Sequence, residues 1–576
     1  MCMKKYLDTK EVKWYRLLIL ALVAYTVKNI LVGADVDEGY GIMVGYRLAT
    51  GDRLLMDMWE PHQTSAIFTA LPIRLFLLCT GGNVDFLNIY LRIVFFALHG
   101  LISWVLYKAL DTCVPQLGKV ASALMAAFFY VSSPKCIFIP EYSNLHIWFL
   151  SLLCVSLLWY CGAESPLKGK NWLLLMAGFW MTCDVLAYPS MVLLFPVCVL
   201  FLMVKEKGRA WKVCGLFTLP CVISALALVA YISSYMSWEQ ILQVLPHILG
   251  DGSHEVTFGE KMSLWGEALM TGAIVCTVAG LLAVAATWVC VKMLEKRGRA
   301  QDRKVWFLFF FVVALVDAQV ITWLFGQYNA TYLQLQYLMI PLLGIYAYTQ
   351  NKNKTQAKEG LWIVILALIS YIAVIVLSNW QPMNLNTYLV LGVVGGMLGL
   401  WNYFSRIGEH NARKLVQGLM LILVLGNAFG YSYRIIGGDE GYSTVLDIRG
   451  YNHDSVRKGI LTNYMTSYRY NKNLEIWEEA VPAGSKLMYV GMSQFYYMLG
   501  DCVVACPSTI STPTYDESLL EYWEMNPERY PDVIALESWF GDVGEAADGF
   551  LMKWIEEEFQ ATEIIEYPYI TVYKRE

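Results

Sequence analysis

The sequence predicts a polytopic α-helical membrane protein, with about thirteen transmembrane helices, that ends in a small extracytoplasmic α/β domain. The first observation is composition, since 57% of the 576 residues are hydrophobic and 16% are charged. Soluble domains average roughly 45–50% apolar and about 25% charged residues. The second observation is a series of long apolar runs through residues 14–433, and the third is a more polar, acidic segment after them. Most of the chain is therefore expected in lipid.

Thirteen apolar runs approach or reach the length needed to cross the ~30 Å hydrocarbon core of a bilayer. They lie near residues 14–33, 85–107, 119–133, 144–161, 171–185, 189–204, 212–234, 263–291, 305–325, 331–349, 361–378, 386–404 and 415–433. The fifth and sixth runs are predicted to form a hairpin of two short helices. Asp184 and Tyr188-Pro189 interrupt an apolar stretch that is too long for one span.

Loop charges predict the orientation of these helices. If the N-terminus is cytoplasmic, the outer segments before residue 434 contain only five basic residues: Arg47, Arg53, Arg74, Lys135 and Lys261. The other loop lysines and arginines before that residue are then cytoplasmic, as the positive-inside rule requires. This solution holds only if the apolar stretch 64–80 does not cross, so we predict that it lies at the outer interface or dips back out. We expect a multi-pass protein of a bacterial plasma membrane.

Two domains follow from this organisation: a membrane domain, residues 1–433, and an extracytoplasmic soluble domain, residues 434–576. The second domain contains half of the 48 acidic residues of the chain. Short apolar runs alternate with helix-like segments there, which is a βαβα pattern. The runs are 486–491, 503–505, 533–536 and 564–573, and the helix-like segments are 515–525 and 550–559. No Gly-rich phosphate-binding loop precedes these helices, so we expect no nucleotide site.

Several other kinds of site are not indicated. No Cys/His spacing of the zinc type occurs, so we predict no structural metal site. The net charge is −5 and no basic patch with interleaved aromatic residues occurs, which argues against a nucleic-acid partner. No cofactor is indicated, although the acids of the first outer loop would also suit a divalent cation.

The first outer loop, residues 34–84, contains the strongest functional signal. Six acids follow the first predicted span: Asp35, Asp37, Glu38, Asp52, Asp57 and Glu60. Carboxylates are costly inside hydrocarbon, so acids at the end of a membrane helix are either solvated or part of a site. A short interfacial helix that begins at Asp37-Glu38 would keep both ionised, because its dipole favours negative charge at the N-terminus.

Four short motifs follow one another in this loop: Asp37-Glu38-Gly39-Tyr40, Gly51-Asp52-Arg53, Asp57-Met58-Trp59 and Glu60-Pro61-His62-Gln63. Together with the predicted topology, they resemble the first outer loop of GT-C membrane glycosyltransferases. In particular they resemble members that use polyprenyl-phosphate sugars, such as protein O-mannosyltransferases and aminoarabinose transferases. The resemblance implies a loop-one aspartate as catalytic base, which maps onto Asp37, with Glu38 as the neighbouring candidate.

The sequence departs from that family at two elements. Glu60-Pro61-His62-Gln63 stands where relatives commonly have a Lys-Pro-Pro type element. Gln336-Tyr337, ahead of Pro341, stands where an Arg-Tyr is common. Both changes remove positive charges that would bind phosphate, so the phosphate-binding residues and the lipid-phosphate donor itself stay open.

The implied reaction needs a base for the acceptor hydroxyl and cationic or hydrogen-bonding partners for the leaving phosphate. We therefore take Asp37 and Glu38 as the catalytic candidates. The substrate-binding candidates are polar side chains expected at the same depth: Arg53, Asp57, Glu60, His62, Lys135, Glu141, Tyr142, Asn144 and Gln336. Each also has a structural alternative; His62, for example, is equally suited to cap the interfacial helix.

The sequence thus favours an integral-membrane glycosyltransferase that moves a hexosyl or pentosyl group from a polyprenyl-phosphate-linked donor. The expected acceptor is a glycan, lipid or protein on the outer face, and membrane lipid is the other expected partner. One alternative is a transporter or flippase, although the internal repeats common in transporters do not occur. Another alternative is a non-catalytic scaffold of the cell envelope whose outer domain binds a partner.

Overall fold

The structure is a computed structural model of the 576-residue chain. It describes residues 10–33, 35–134, 137–162, 165–249, 257–296, 306, 309–318, 336–350, 354–377, 387–405, 410–436, 442–491, 493–509, 518–537 and 549–575.

The membrane domain is built from helices. They are α1 (Lys10–Leu31), α2 (Val36–Thr50), α3 (Ala66–Thr80), α4 (Leu87–Cys113), α5 (Gly118–Tyr130), α6 (Tyr142–Cys161), α7 (Asn171–Ala187), α8 (Leu194–Lys205), α9 (Ala210–Ser233), α10 (Trp238–Leu249), α11 (Phe258–Lys296), α12 (Phe309–Ala318), α13 (Gln336–Thr349), α14 (Lys354–Leu377), α15 (Val390–Ser405) and α16 (His410–Tyr433). Each of the thirteen predicted runs coincides, at least in part, with one of these helices. The runs near 305–325 and 331–349 extend into residues outside the described ranges.

Eight helical segments within the described residues are long and apolar enough to cross a membrane. They are Gln63–Thr80, Leu87–Cys113, Tyr142–Cys161, Ala210–Ser233, Phe258–Lys296, Gly360–Leu377, Thr387–Phe404 and Val416–Tyr433. Shorter apolar helices lie at Asn171–Ala187, Pro189–Lys205 and Phe309–Ala318. The first two of these form the hairpin predicted around Tyr188-Pro189. The protein is therefore a polytopic helical membrane protein, as the composition predicted.

The centre of the bundle is formed by α6 and α15. Of their apolar windows, 89% and 94% of the residues are buried, against 11% for α11. Glycine allows α13 and α15 to approach closely, because a Cβ atom at Gly396 would lie 2.4 Å from the carbonyl oxygen of Ile340. The position of α6 matters for the site, because its N-terminus begins at Tyr142, directly after the candidate Glu141.

The stretch 64–80 folds as a 3₁₀ turn, Gln63–Ser65, followed by α3. Residues that flank this segment on either side contact residues beyond 433. Before α3, Glu60 accepts hydrogen bonds from Ser508 and Thr509. After α3, Asp85 pairs with Lys458 at 2.7 Å. By length and composition, Gln63–Thr80 is also apolar enough to cross a membrane. Its relation to the bilayer stays a prediction.

The C-terminal domain contains helices α17 (Tyr464–Ala480), α18 (Ser518–Met525) and α19 (Phe550–Trp554). Its strands are β1 (Arg434–Ile436), β2 (Tyr442–Thr444), β3 (Gly450–Tyr451), β4 (Leu461–Thr462), β5 (Lys486–Val490), β6 (Val503–Val504), β7 (Val533–Glu537), β8 (Glu563–Glu566) and β9 (Ile570–Lys574). The main sheet has the order β6-β5-β7-β9-β8, in which β5 runs parallel to β6 and β7 and β9 runs antiparallel to β7 and β8. The predicted small α/β domain is present.

A short antiparallel pair, β3 with β4, joins this domain to the first outer loop. Strand β4 contacts the residues that follow α1. The amide of Gly33 donates a hydrogen bond to the carbonyl oxygen of Leu461 in β4, at 2.8 Å. The amide of Asn88, at the start of α4, donates to the carbonyl oxygen of Val456. The segment 450–462, the β3–β4 hairpin, therefore contacts the C-terminal end of α1 and the N-terminal end of α4.

Candidate active site

The loop-one acids that the sequence emphasised lie at the start of α2. Asp35 caps this helix, because its carboxylate accepts a hydrogen bond from the amide of Asp37 at 2.8 Å. Asp37 and Glu38 occupy the first turn, where the helix dipole stabilises negative charge. The helix ends at Gly51, whose φ of +119° requires glycine. The predicted short helix that begins at the acids is thus present.

Glu38 and Asp37 differ in their surroundings. Glu38 is buried and forms a two-pronged ion pair with Arg92 of α4, with distances of 2.7 and 2.6 Å. Arg92 also donates to the carbonyl oxygen of Gly33, at 2.8 Å, after the last turn of α1. The pair therefore joins α1, α2 and α4. Asp37 is only partly buried, so it is more accessible to a substrate than Glu38.

The face of α2 that carries Asp37 packs against the N-terminus of α6. Gly41, one turn after Asp37 on that face, approaches Glu141 so closely that a Cβ atom would lie 2.7 Å from the Cβ of Glu141. Glu141 caps α6, with hydrogen bonds of 2.9 Å from the amides of Ser143 and Asn144. Asp37, Glu141 and Asn144 thus belong to one junction between loop one and the bundle.

Two further candidates, Asn144 and Gln336, are also buried. The Asn144 amide donates to the carbonyl oxygens of Ile137 and Ile139, both at 2.9 Å, which shapes the chain before α6. Gln336 is buried at the beginning of α13, and the hydroxyl of its neighbour Tyr337 lies 2.8 Å from that of Ser132. The candidate Lys135 lies outside the described residues.

His62 and Tyr142 form an aromatic cluster beside the junction. Their rings stack at a centroid distance of 4.0 Å, and the Tyr188 ring lies 4.8 Å from His62. His62 precedes the 3₁₀ turn Gln63–Ser65, but within the described residues its side chain makes no capping hydrogen bond. The capping alternative for His62 is therefore wrong, and its ring instead packs on two tyrosines.

A hydrogen-bonded chain that the sequence did not reveal lies behind this cluster. His146 donates or accepts at both ring nitrogens: Nδ1 lies 2.7 Å from Asp184 and Nε2 lies 2.9 Å from Ser370. All three side chains are fully buried, on α6, α7 and α14. The order Ser–His–Asp is that of a hydrolase triad. However, none of the three has exposed surface, so the chain joins three helices and is not an acyl-transfer site.

Three other candidates, Arg53, Asp57 and Glu60, lie at the far end of α2 and face the C-terminal domain. Asp57 accepts hydrogen bonds from the Arg53 side chain at 2.8 and 3.0 Å. Arg529 of the C-terminal domain lies 3.6 Å from the same carboxylate. Burial would raise the pKa of Asp57, but the bonds from Arg53 and the charge of Arg529 outweigh it, and the pKa is below its ordinary value.

Glu60 is fully buried in the same interface. It accepts hydrogen bonds from the Ser508 hydroxyl and the Thr509 amide, both at 2.7 Å. Burial raises the pKa of Glu60 against the opposing attraction of Arg47, whose guanidinium lies 3.7 Å away. Arg47 also pairs with Asp52 at 2.7 Å. The structure therefore places these groups between loop one and the C-terminal domain, away from the junction at Asp37.

The C-terminal domain also contributes residues beside Asp37 that sequence reasoning missed. Gln494 and Phe495 follow β5 and pack on Gly39, since a Cβ atom there would lie 2.7 Å from the Gln494 side-chain oxygen. Arg457, in the β3–β4 hairpin, donates to the carbonyl oxygen of Asp35 at 3.3 Å. No local pattern links these positions to loop one. Within the described residues, no group of three or more His, Cys, Asp or Glu side chains is arranged to bind a metal ion.

Comparison with known proteins gives a limited result. No protein-family model matches the chain, and no curated protein matches it. Among solved structures, the chain is similar to ArnT from Cupriavidus metallidurans over 98% of both chains. The identity is 12% and the TM-score 0.39 for the apo state, and 13% and 0.43 for the form bound to undecaprenyl phosphate.

A second similar structure is the oligosaccharyltransferase of Archaeoglobus fulgidus in complex with Zn and sulfate. The identity is 13% and the TM-score 0.41, over 90% of this chain and 67% of that one. At these TM-scores and identities, the three structures carry no weight in the functional proposal that follows.

Proposed function

We propose that the protein is a GT-C-type glycosyltransferase that moves a sugar from a polyprenyl-phosphate-linked donor to an acceptor on the outer face of the membrane. The observation that supports this most directly is the position of Asp37. It lies in the first turn of α2, partly exposed, on the face that packs against the N-terminus of α6. A partly buried carboxylate at such a junction is suited to take a proton from a bound hydroxyl group.

In the proposed reaction, the acceptor hydroxyl gives its proton to Asp37 while its oxygen bonds to the anomeric carbon of the sugar. The bond between that carbon and the phosphate oxygen breaks, and its electron pair leaves with the polyprenyl phosphate. Positive charge develops on the sugar ring during transfers of this kind. The carboxylate of Asp35, which caps the same turn, helps to stabilise that charge while Asp37 takes the proton.

The other residues of the junction have supporting roles in this proposal. Glu38 positions α2 through Arg92, so it acts on the placement of Asp37 and not on the substrate. The stacked rings of His62 and Tyr142 give the site an aromatic wall, as is common in pockets for small organic groups. Arg53, Asp57 and Glu60 keep the C-terminal domain seated on loop one.

We further propose that residues 434–576 are extracytoplasmic and cover the site. Contacts from this domain reach both ends of α2: Arg457 contacts Asp35 at one end, and Arg529 pairs with Asp52 at 2.6 Å at the other. An active site between the membrane helices and this domain would be open to a lipid donor from the bilayer. It would be open to a soluble acceptor from the extracytoplasmic space.

The test is the Asp37→Asn variant, purified and assayed with a panel of polyprenyl-phosphate-linked hexoses and pentoses. Release of polyprenyl phosphate is measured together with the melting temperature. We expect a loss of roughly 100-fold or more in rate, since a positioned base contributes about 10²–10⁴-fold. The melting temperature should not change. Asp454→Asn is the control, because Asp454 is an exposed acid of the outer domain. Transfer at the wild-type rate by Asp37→Asn would remove Asp37 as the base.

A further inference from the structure

Arg457 is a buried cation that forms no ion pair with any carboxylate of the described residues. Its side chain is 6% exposed, and the Nε atom has no hydrogen-bond partner among those residues. One terminal nitrogen donates to the carbonyl oxygen of Asp35. The rest of the guanidinium lies against rings, 4.5 Å from the centroid of Phe495 and 5.5 Å from that of Tyr470.

Three other arginines that contact loop one, two of them buried and one partly buried, are paired. Arg47 pairs with Asp52, Arg92 with Glu38, and Arg529 with Asp52. A buried charge without a counterion is strongly unfavourable, and aromatic rings offset only part of that cost. The difference between Arg457 and these three arginines therefore indicates that an anion completes its environment.

The position of Arg457 identifies the kind of anion. The β3–β4 hairpin holds it over the outer end of α1, at the cap of the helix that carries Asp37. A guanidinium presents a planar fork of donors that matches phosphate oxygens. The ring of Phe495 packs against the guanidinium and restricts its orientation.

We propose that Arg457 binds the phosphate group of the lipid-linked donor and of the polyprenyl phosphate that leaves. This inference rests on the proposed function and assigns its phosphate site. It supplies, from the C-terminal domain, a positive charge of the kind that Glu60-Pro61-His62-Gln63 and Gln336-Tyr337 do not provide. The positive charge of Arg457 also offsets repulsion between the phosphate and the carboxylates of Asp35 and Asp37.

Binding of polyprenyl phosphate, without sugar or acceptor, tests the proposal on the full-length protein. The variants are Arg457→Gln, Arg457→Lys and, as the control, Lys458→Gln. Lys458 is the next residue of the hairpin but pairs with Asp85 and Asp454. We expect Arg457→Gln to bind polyprenyl phosphate about tenfold or more weakly, since charge-assisted hydrogen bonds are lost. Arg457→Lys should lose less, and Lys458→Gln should bind as the wild type does.

A purely structural role for Arg457 makes a different prediction. Removal of a structural cation would lower the melting temperature and leave lipid binding by the folded fraction unchanged, and that result would overturn the proposal. If Arg457→Gln does not fold, the wild-type protein still provides a test. Polyprenyl phosphate should raise its melting temperature, uncharged polyprenol should not, and millimolar inorganic phosphate should compete. Equal effects of the two lipids would overturn the proposal.

The outcomes for the two proposals can be separated. Asp37→Asn should bind polyprenyl phosphate normally although it transfers no sugar. If the wild-type protein binds this lipid through Arg457 but transfers no sugar from any donor in the panel, the proposed function fails and the phosphate site stands. If it transfers sugar and Arg457→Gln has an unchanged donor KM, the phosphate site fails and the proposed function stands.

Discussion

The two ends of α2 contain the same kinds of residue in opposite situations. At its start, Asp37 is partly exposed and faces the N-terminus of α6. At its end, Asp57 and Glu60 are buried and bonded to arginines and to the C-terminal domain. The acids of loop one therefore form two groups. Asp37 is accessible to a substrate, whereas Asp57 and Glu60 stabilise the contact between loop one and the C-terminal domain. Burial and partners distinguish the groups, whereas proximity in the sequence does not.

Glu38 is the strongest test of this division, because it neighbours Asp37 but has the surroundings of the second group. Glu38→Ala leaves Arg92 buried without a counterion, and loss of one partner from a buried pair costs about 3–5 kcal/mol. We expect a correspondingly lower free energy of unfolding of the membrane domain, with activity lost in proportion to unfolded protein. The double variant Glu38→Ala/Arg92→Met should recover much of the stability. A folded Glu38→Ala protein that binds donor but cannot turn over would instead make Glu38 catalytic.

The pH dependence of stability sharpens the comparison at the other end of α2. The pKa of Glu60 is raised above the ordinary 4.5, so folding favours its protonated form. Its contribution is complete below pH 4.5 and is lost as the pH rises through the raised value. Glu60→Gln, which keeps acceptor capacity for Ser508, should cost about 1–2 kcal/mol at low pH and progressively less as the pH rises.

Asp57 provides the matched case with the opposite sign. Its pKa is lowered below the ordinary 3.8, so its contribution is present above that pH and is lost as the pH falls through the lowered value. The difference in unfolding free energy between wild type and Asp57→Asn should therefore shrink on acidification below pH 3.8. Denaturant titrations over this range measure both variants. If the stability differences of the two variants changed with pH in the same direction, the opposite pKa shifts assigned to Asp57 and Glu60 would be wrong.

The smallest effect is expected at Arg53. Its side chain is 39% exposed, and partly exposed ion pairs contribute about 0–1 kcal/mol. Arg53→Gln should change the free energy of unfolding by no more than about 1 kcal/mol and should leave the donor KM unchanged. A clear rise in KM would return Arg53 to the substrate-binding residues and would blur the division between the ends of α2.

The sequence predicted the helices well because the length of an apolar run is a local property. The runs near 144–161 and 415–433 became helices 142–161 and 410–433 with small changes at their ends. The strands of the C-terminal sheet were equally visible as short apolar runs. The helix that starts at the acids was predicted from the apolar residues that follow them, such as Ile42 and Val44.

Partners could not be predicted in the same way. Glu38 meets Arg92 across 54 positions, and His146 meets Ser370 across 224. One signal was available, since a lone arginine inside an apolar run, such as Arg92, requires a buried partner. Nothing in the local sequence distinguishes the buried Arg457 from the partly exposed, ion-paired Lys458 beside it. The two residues differ in burial and pairing only because the folded β3–β4 hairpin packs on the end of α1.

The contact of Glu60 with Ser508 has a consequence for biogenesis, because these residues are separated by 448 positions. Loop one is synthesised early, yet its buried carboxylate finds its hydroxyl and amide donors only when the last quarter of the polypeptide has reached the same side of the bilayer. A nascent chain stalled near residue 433 should therefore expose loop one to added protease, whereas the finished protein should resist cleavage. Equal protection of both would show that the loop matures before translation ends.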